Sequence, residues 1–155
     1  MSMRNWDAYG PPAIHVGALR IWVHGYQSPE STDAWDGNWL RVTAHCASSG
    51  ASVVVTGAIL DTVSFLRFYR ELTVVYAQLE GSATLESHEP ELKAVVRAMG
   101  PRGEMELRVE ITPDHMSQVH RFLDTIDQSY LPEVLRACER LLSQYPVRDA
   151  AARGA

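Results

Sequence analysis

The sequence predicts an α+β protein: a mainly antiparallel sheet of about six or seven strands with two long helices, in the order βββα-βββ(β)-α. Three observations carry this. Apolar and polar residues alternate with a period of two in several runs, which marks half-buried strands. Short turn-forming clusters, Ser48-Ser49-Gly50 and Gly100-Pro101-Arg102-Gly103, join successive runs and favour hairpins. Two longer stretches place apolar residues at three- and four-residue steps, as amphipathic helices do. Strand runs joined by short turns imply antiparallel pairing, with the helices packed on one side or one end.

Residues 1–12 read as a loose lead-in closed by Gly10-Pro11-Pro12. The first strand covers residues 14–24, where Leu19, Ile21 and Val23 alternate with Arg20, Trp22 and His24. Gly25 to Gly37 is polar and reads as a loop. Trp39 to Ala47 sets Leu40, Val42, Ala44 and Cys46 on one face, and Ser52 to Leu60 returns as a strand apolar enough on both faces to be central. Asp61 and Thr62 are good N-caps for the helix that follows. Its stripe is Phe65, Phe68, Tyr69, Leu72, Val75, Tyr76 and Leu79, with Gly81 where a C-terminal cap belongs.

Strands resume near Leu85 and at Leu92, Ala94 and Val96. The next is the clearest: Met105, Leu107, Val109 and Ile111 inward, Glu104, Glu106, Arg108 and Glu110 outward, so that its solvent face is charged and mostly acidic. Residues 115–126 fit either period and are read as a strand, with His120, Phe122, Asp124 and Ile126 on one side. Ser129 is placed to cap the closing helix and Pro132 fits its first turn. Leu131, Val134, Leu135, Cys138, Leu141, Leu142 and Tyr145 form its stripe. Residues 13–146 are thus the expected ordered core of one domain, residues 1–155, with 148–155 frayed.

A chain of 155 residues with 46% hydrophobic and 21% charged side chains has a globular composition. Chains of this size bury roughly 68–70% of their unfolded surface and need no staple. No apolar run reaches the roughly 18 residues that span a bilayer, and Met1 to Asp7 lack a signal-peptide core. A cytoplasmic protein is the expectation. The net charge of −5, from 14 basic and 19 acidic side chains, opposes non-specific nucleic-acid binding and suits a basic protein partner.

The residues offer little anchor for catalysis. There is no GxSxG, P-loop, HExxH or calcium loop. His115 and His120 are five apart, which misses the one-face spacing of a helical metal pair. Neither metal nor cofactor is expected. His24 and His45 fall on neighbouring strands and form the enzymatic alternative, an acid–base pair of a small hydrolase. Cys46 and Cys138 lie on apolar faces and read as core. The most distinctive local feature is Trp35-Asp36-Gly37-Asn38-Trp39. Trp35, Asp36, Asn38 and Trp39 are candidate partner contacts, since Trp is favoured at hot spots. Equally, Asp36 and Asn38 suit a capped turn, with Trp39 packing at the strand start. Glu104, Glu106 and Glu110 are the second candidate patch.

Three segments together carry a family resemblance. Asp36-Gly37-Asn38-Trp39-Leu40 resembles the Asp-x-Asn-Trp-Leu stretch of WapI-type bacterial immunity proteins. Glu89-Pro90-Glu91-Leu92 is similar to that family's Glu-Pro-x-Leu strand. Ile126 to Glu133 resembles its strand-to-helix junction, followed by the closing helix and Tyr145-Pro146. Order and spacing agree over about residues 17–146. The resemblance implies a small cytosolic protein, often encoded beside a polymorphic toxin, that binds the toxin's C-terminal domain and blocks it, without catalysis or cofactor. A homo-oligomeric module, two copies pairing through a strand edge, is the other alternative.

Overall fold

A computed structural model describes residues 6–148. The expected termini therefore lie in part outside the described residues, at 1–5 and 149–155. A short 3-10 turn at Trp6–Tyr9 leads into β1 (Ile14–Val16), β2 (Leu19–Tyr26), β3 (Trp39–Ser48) and β4 (Ala51–Asp61). Helix α1 (Thr62–Gln78) follows, then β5 (Ser82–Glu86), β6 (Leu92–Ala98), β7 (Glu104–Ile111), β8 (Arg121–Asp127) and helix α2 (Leu131–Gln144). The α+β class and the two helices are as expected. The single sheet is not: the strands form two four-stranded antiparallel meanders, β1-β2-β3-β4 and β5-β6-β7-β8.

The eighth strand arises where one was expected over residues 14–24. Gly17 takes φ +53°, a left-handed conformation that only glycine adopts freely, and the chain folds back so that Val16 pairs with Leu19. That turn sits on the second sheet. Ala18 N–H donates to Asp124 Oδ2 at 3.1 Å. A Cβ on Gly17 would lie 2.5 Å from the same oxygen and 2.8 Å from Leu107 Cδ2. Alternation along residues 14–24 survives the turn, so period alone does not show it.

The expected central strand is also reassigned. β4 ends its sheet, and β3 lies between β2 and β4. Thr43 and His45 on the outer side of β3 are buried like Val42 and Ala44 on its inner side. Polar partners make this tolerable: Thr43 Oγ1 is 2.8 Å from His24 Nε2 and 3.2 Å from Thr56 Oγ1.

Helix α1 starts where Asp61 Oδ1 accepts the Ser64 N–H at 2.7 Å. It ends at Leu79, which takes the left-handed cap at φ 56° with its N–H on Val75 O. Leu79 fills the role expected of Gly81, because its half-buried side chain packs on the core. Ser129 is no cap for α2. Asp127 Oδ1 accepts the Ser129 N–H at 2.9 Å, and a 3-10 turn, Gln128–Tyr130, runs straight into α2 with Pro132 in its first turn. Residues 115–126 resolve into a loop and then strand β8, with Asp124 and Ile126 on the inner side as expected. Phe65, Phe68 and Leu72 of α1 and Leu131, Val134, Cys138 and Leu141 of α2 join the inner faces of both sheets in one continuous core. Burying each such side chain stabilises by roughly 1.5–3 kcal/mol.

Candidate partner-binding surface

The side of the second sheet that faces away from the core is exposed, and the strand register fixes its pattern. Three rows cross it: Glu86-Lys93-Glu110-Arg121, Thr84-Val95-Arg108-Leu123 and Ser82-Arg97-Glu106-Thr125. Glu104, Glu106 and Glu110 do face outward from β7. Read along β7 alone, they make an acidic stripe. The neighbouring strands cancel it, because Lys93, Arg97, Arg108 and Arg121 occupy the same face. Arg97 and Arg108 approach Glu106 at 3.7 and 3.8 Å, Arg121 approaches Glu110 at 3.8 Å and Lys93 approaches Glu86 at 3.9 Å. Such exposed pairs are worth under about 1 kcal/mol each, so they set a charge pattern rather than stability. Glu104 is the exception: it sits opposite Asp127, an acidic pair at one corner. A shallow depression of about 220 Å³ is lined by Lys93, Val95, Arg97, Glu106, Arg108 and Glu110.

The Trp35 loop is a built structure. Gly37 lies so close to backbone that a Cβ would fall 2.5 Å from Asp33 O. Asp33 Oδ1 accepts the Trp35 N–H at 2.7 Å. Asn38, only 2% exposed, joins three segments. Its Nδ2 donates to Ala34 O at 2.9 Å and to Arg148 O at 2.6 Å. Its Oδ1 accepts from Arg148 N at 2.6 Å and Thr62 Oγ1 at 3.0 Å. Arg148 is therefore not frayed. Its guanidinium donates to the carbonyls of Ser28, Pro29 and Ser31 and lies 3.5 Å from the Tyr26 ring centroid.

Of the four loop candidates, Trp35 is 84% exposed and Asp36 is exposed, whereas Trp39 is half-buried and Asn38 is interior. Asn38 thus shapes the loop from its interior. Trp39 meets His88 at a tilt of 57° with ring centroids 5.0 Å apart, and His88 Nε2 is 2.9 Å from Asp61 Oδ2. A second depression links His88 to Glu86, Lys93 and Glu110. The two candidate patches are thereby joined across the β5–β6 turn. His88, Lys93, Arg97 and Arg121 are surface members that sequence reading passed over. Alternation along 92–98 marks Lys93 and Arg97 as outward, but only strand order sets them beside the glutamates.

His24 and His45 have separate partners. His24 bonds Thr43, while His45, 5% exposed, lies 2.9 Å from an Arg20 nitrogen and 2.7 Å from Ser52 Oγ. Among the described residues no three His, Cys, Asp or Glu side chains gather as metal ligands. Burial pushes the Cys46 and Cys138 thiols up to about 12, which makes both inert core groups. Among the described residues no helix is long and apolar enough to cross a membrane.

Fold and surface together define a small α+β protein of two antiparallel meanders with a broad, charge-patterned sheet face and a hydrogen-bonded tryptophan loop. The chain belongs to the Immunity protein WapI-like family, whose match covers residues 14–146, from the first residue of β1 to just beyond α2. Among curated proteins none matches the sequence. Among solved structures, a chain of the CdiA-CT/CdiI toxin and immunity complex from Enterobacter cloacae is similar with 6% identity and a TM-score of 0.40, over 66% of this chain and 89% of that one.

Proposed function

We infer that this immunity protein neutralises a cognate bacterial toxin domain by occlusion: it binds over the toxin's active site and performs no chemistry itself. The observation that carries the reading is the family match, which spans both sheets and both helices. The contact surface is the outer face of the second sheet, continued over His88 and Trp39 to Trp35. Trp35 and Asp36 reach the partner from a loop already fixed by the Asn38–Arg148 clasp, so little ordering entropy is spent on binding. Glu106 and Glu110 contact the toxin as members of charge rows of both signs, and Glu104 contacts it from the acidic corner that it forms with Asp127. A partner must therefore match a pattern of both signs, and such complementarity favours specificity over bulk attraction.

The test is growth rescue. The toxin domain encoded nearest this gene is expressed with and without this protein, followed by co-purification. Growth restored only by the cognate pair, with a stable complex, is the expected result. Absence of both rescue and complex removes the immunity reading for that toxin. Trp35→Ala and Arg108→Glu, both at exposed positions, are expected to weaken the complex at least ten-fold while leaving the urea midpoint of the free protein unchanged.

A further inference from the structure

β8 is the last strand of its sheet, and its register decides which backbone groups face outward. Ile111 N–H bonds His120 O at 3.3 Å and Gln128 N–H bonds Gly103 O at 2.8 Å. In an antiparallel ladder, bonded residues alternate, so His120, Phe122, Asp124 and Ile126 face β7. The N–H and C=O groups of Arg121, Leu123, Thr125 and Asp127 point away from the sheet. Such an edge is normally guarded. At the opposite edge α1 does this, since Glu71 Oε1 takes the Thr84 N–H at 2.9 Å. On β8, Asp124 Oδ1 takes the Thr125 N–H at 2.9 Å, which blocks the second half. Among the described residues no side chain takes the N–H of Arg121 or Leu123.

Exposed apolar side chains lie on the open half and in the loop that leads into it. Leu123 is 61% exposed, Val119 88% and Met116 84%. Met116 stands on a built turn, because Asp114 accepts the Met116 N–H at 3.1 Å and the Ser117 hydroxyl at 2.7 Å. Arg121 ends the row Glu86-Lys93-Glu110-Arg121, whose charges alternate in sign across the whole sheet. The next position across the edge calls for an acid. Opposite Leu123 and Val119, two residues to either side, it calls for apolar side chains.

We propose that this half-edge receives an extended segment of the toxin domain, which adds as a fifth strand beside Arg121 and Leu123 and carries an acidic residue flanked at two-residue spacing by apolar ones. The proposal rests on the immunity reading and names the chemistry of its contact. Backbone bonds to the edge provide attachment and the alternating side chains provide selection. A second copy of the chain fits poorly. Antiparallel self-pairing centred on Arg121 sets two guanidiniums face to face. Centred on Phe122 it sets Arg121 against Leu123, and centred on Leu123 it needs the occupied Thr125 N–H.

The test titrates the isotopically labelled full chain with the synthetic peptide Thr-Val-Thr-Glu-Thr-Val-Thr and with its counterpart carrying Lys for Glu. The Glu peptide is expected to shift the Arg121 and Leu123 amides, slow their hydrogen exchange and bind at least ten-fold more tightly than the Lys peptide. Arg121→Glu is expected to reverse that preference. Leu123→Pro deletes an outward N–H without touching the β7 ladder and is expected to abolish binding, whereas Leu123→Ala weakens it only a few-fold. Equal affinity for the two peptides, shifts confined to other strands, or a preference unchanged in Arg121→Glu overturns the proposal. In the rescue assay, protection by Leu123→Pro equal to that by Leu123→Ala removes the edge contact while the immunity reading stands. Absence of both rescue and complex with the unaltered chain removes the immunity reading for that toxin, and the peptide titration still decides the edge.

Discussion

Replacing Asn38 by Ala removes a buried junction rather than a surface contact, and the structure sets the size of the effect. The side chain makes four hydrogen bonds, to Ala34 O, Arg148 O, Arg148 N and Thr62 Oγ1, between 2.6 and 3.0 Å. At a net value of about 1 kcal/mol per bond, their loss comes to about 4 kcal/mol. Arg148 is half-buried, so water regains part of this, and about 3 kcal/mol is the expected cost. That is a large share of the roughly 5–15 kcal/mol that holds a domain of this kind. At about 2–4 °C per kcal/mol for this chain length, Tm falls by roughly 6–12 °C.

Urea unfolding followed by far-UV circular dichroism gives the midpoint and slope directly, and an unchanged slope shows that the folded state stays equally compact. Asn38→Asp sharpens the test. It keeps the acceptor but turns a carboxylate oxygen toward the carbonyls of Ala34 and Arg148. The protonated acid donates to a carbonyl where the carboxylate repels it, so the folded-state pKa of the new group is raised. Its relative stability is therefore highest below the unfolded value of about 3.9 and falls as pH rises. A loss below about 1 kcal/mol in Asn38→Ala would falsify the clasp as the element that holds the Trp35 loop.

Gly17→Ala introduces a Cβ into a left-handed residue already against Asp124 and Leu107, so its Tm is expected to drop well below that of Gly50→Ala. Gly50 has positive φ too but open space around it, and differential scanning calorimetry compares the two. Cys46 and Cys138, held as thiols by burial, are expected to resist a thiol reagent at pH 8 in the folded protein. Both react once urea unfolds it, and a spectrophotometric count of thiols before and after is the check. Asp127 has its carboxyl lowered chiefly by the Ser129 backbone N–H and then by that residue's hydroxyl. The stability it contributes is present above the unfolded carboxylate pKa and is lost as pH falls through the folded one. Asp127→Ala is accordingly expected to show a shallower loss of Tm on acidification than the parent, measured from neutral pH down into the carboxylate range.

Much of the local structure was legible along the chain because period and capping are local physics. The stripe Phe65-Phe68-Leu72-Val75 dictates which face of α1 is buried. The alternation from Glu104 to Ile111 dictates both faces of β7, and Asp61 caps α1 with its own side chain. The segments Asp36 to Leu40, Glu89 to Leu92 and Ile126 to Glu133 together carried the family resemblance, since a loop clasp, a turn and a capped strand-to-helix junction need particular side chains in order.

Tertiary structure decided what depends on neighbours distant in sequence. A period of two states which way a side chain points and is silent on which strand lies beside it. Two four-stranded sheets therefore read as one, and the Glu104-Glu106-Glu110 row read as acidic until Arg97, Arg121 and Lys93 were set beside it. Arg148 read as a frayed end because its partners, Tyr26, Asn38 and the carbonyls of Ser28 to Ser31, lie more than a hundred residues earlier. Whether Asn38 capped its turn or met a partner stayed open in the sequence for the same reason: burial belongs to the packed chain, and no window of sequence contains it.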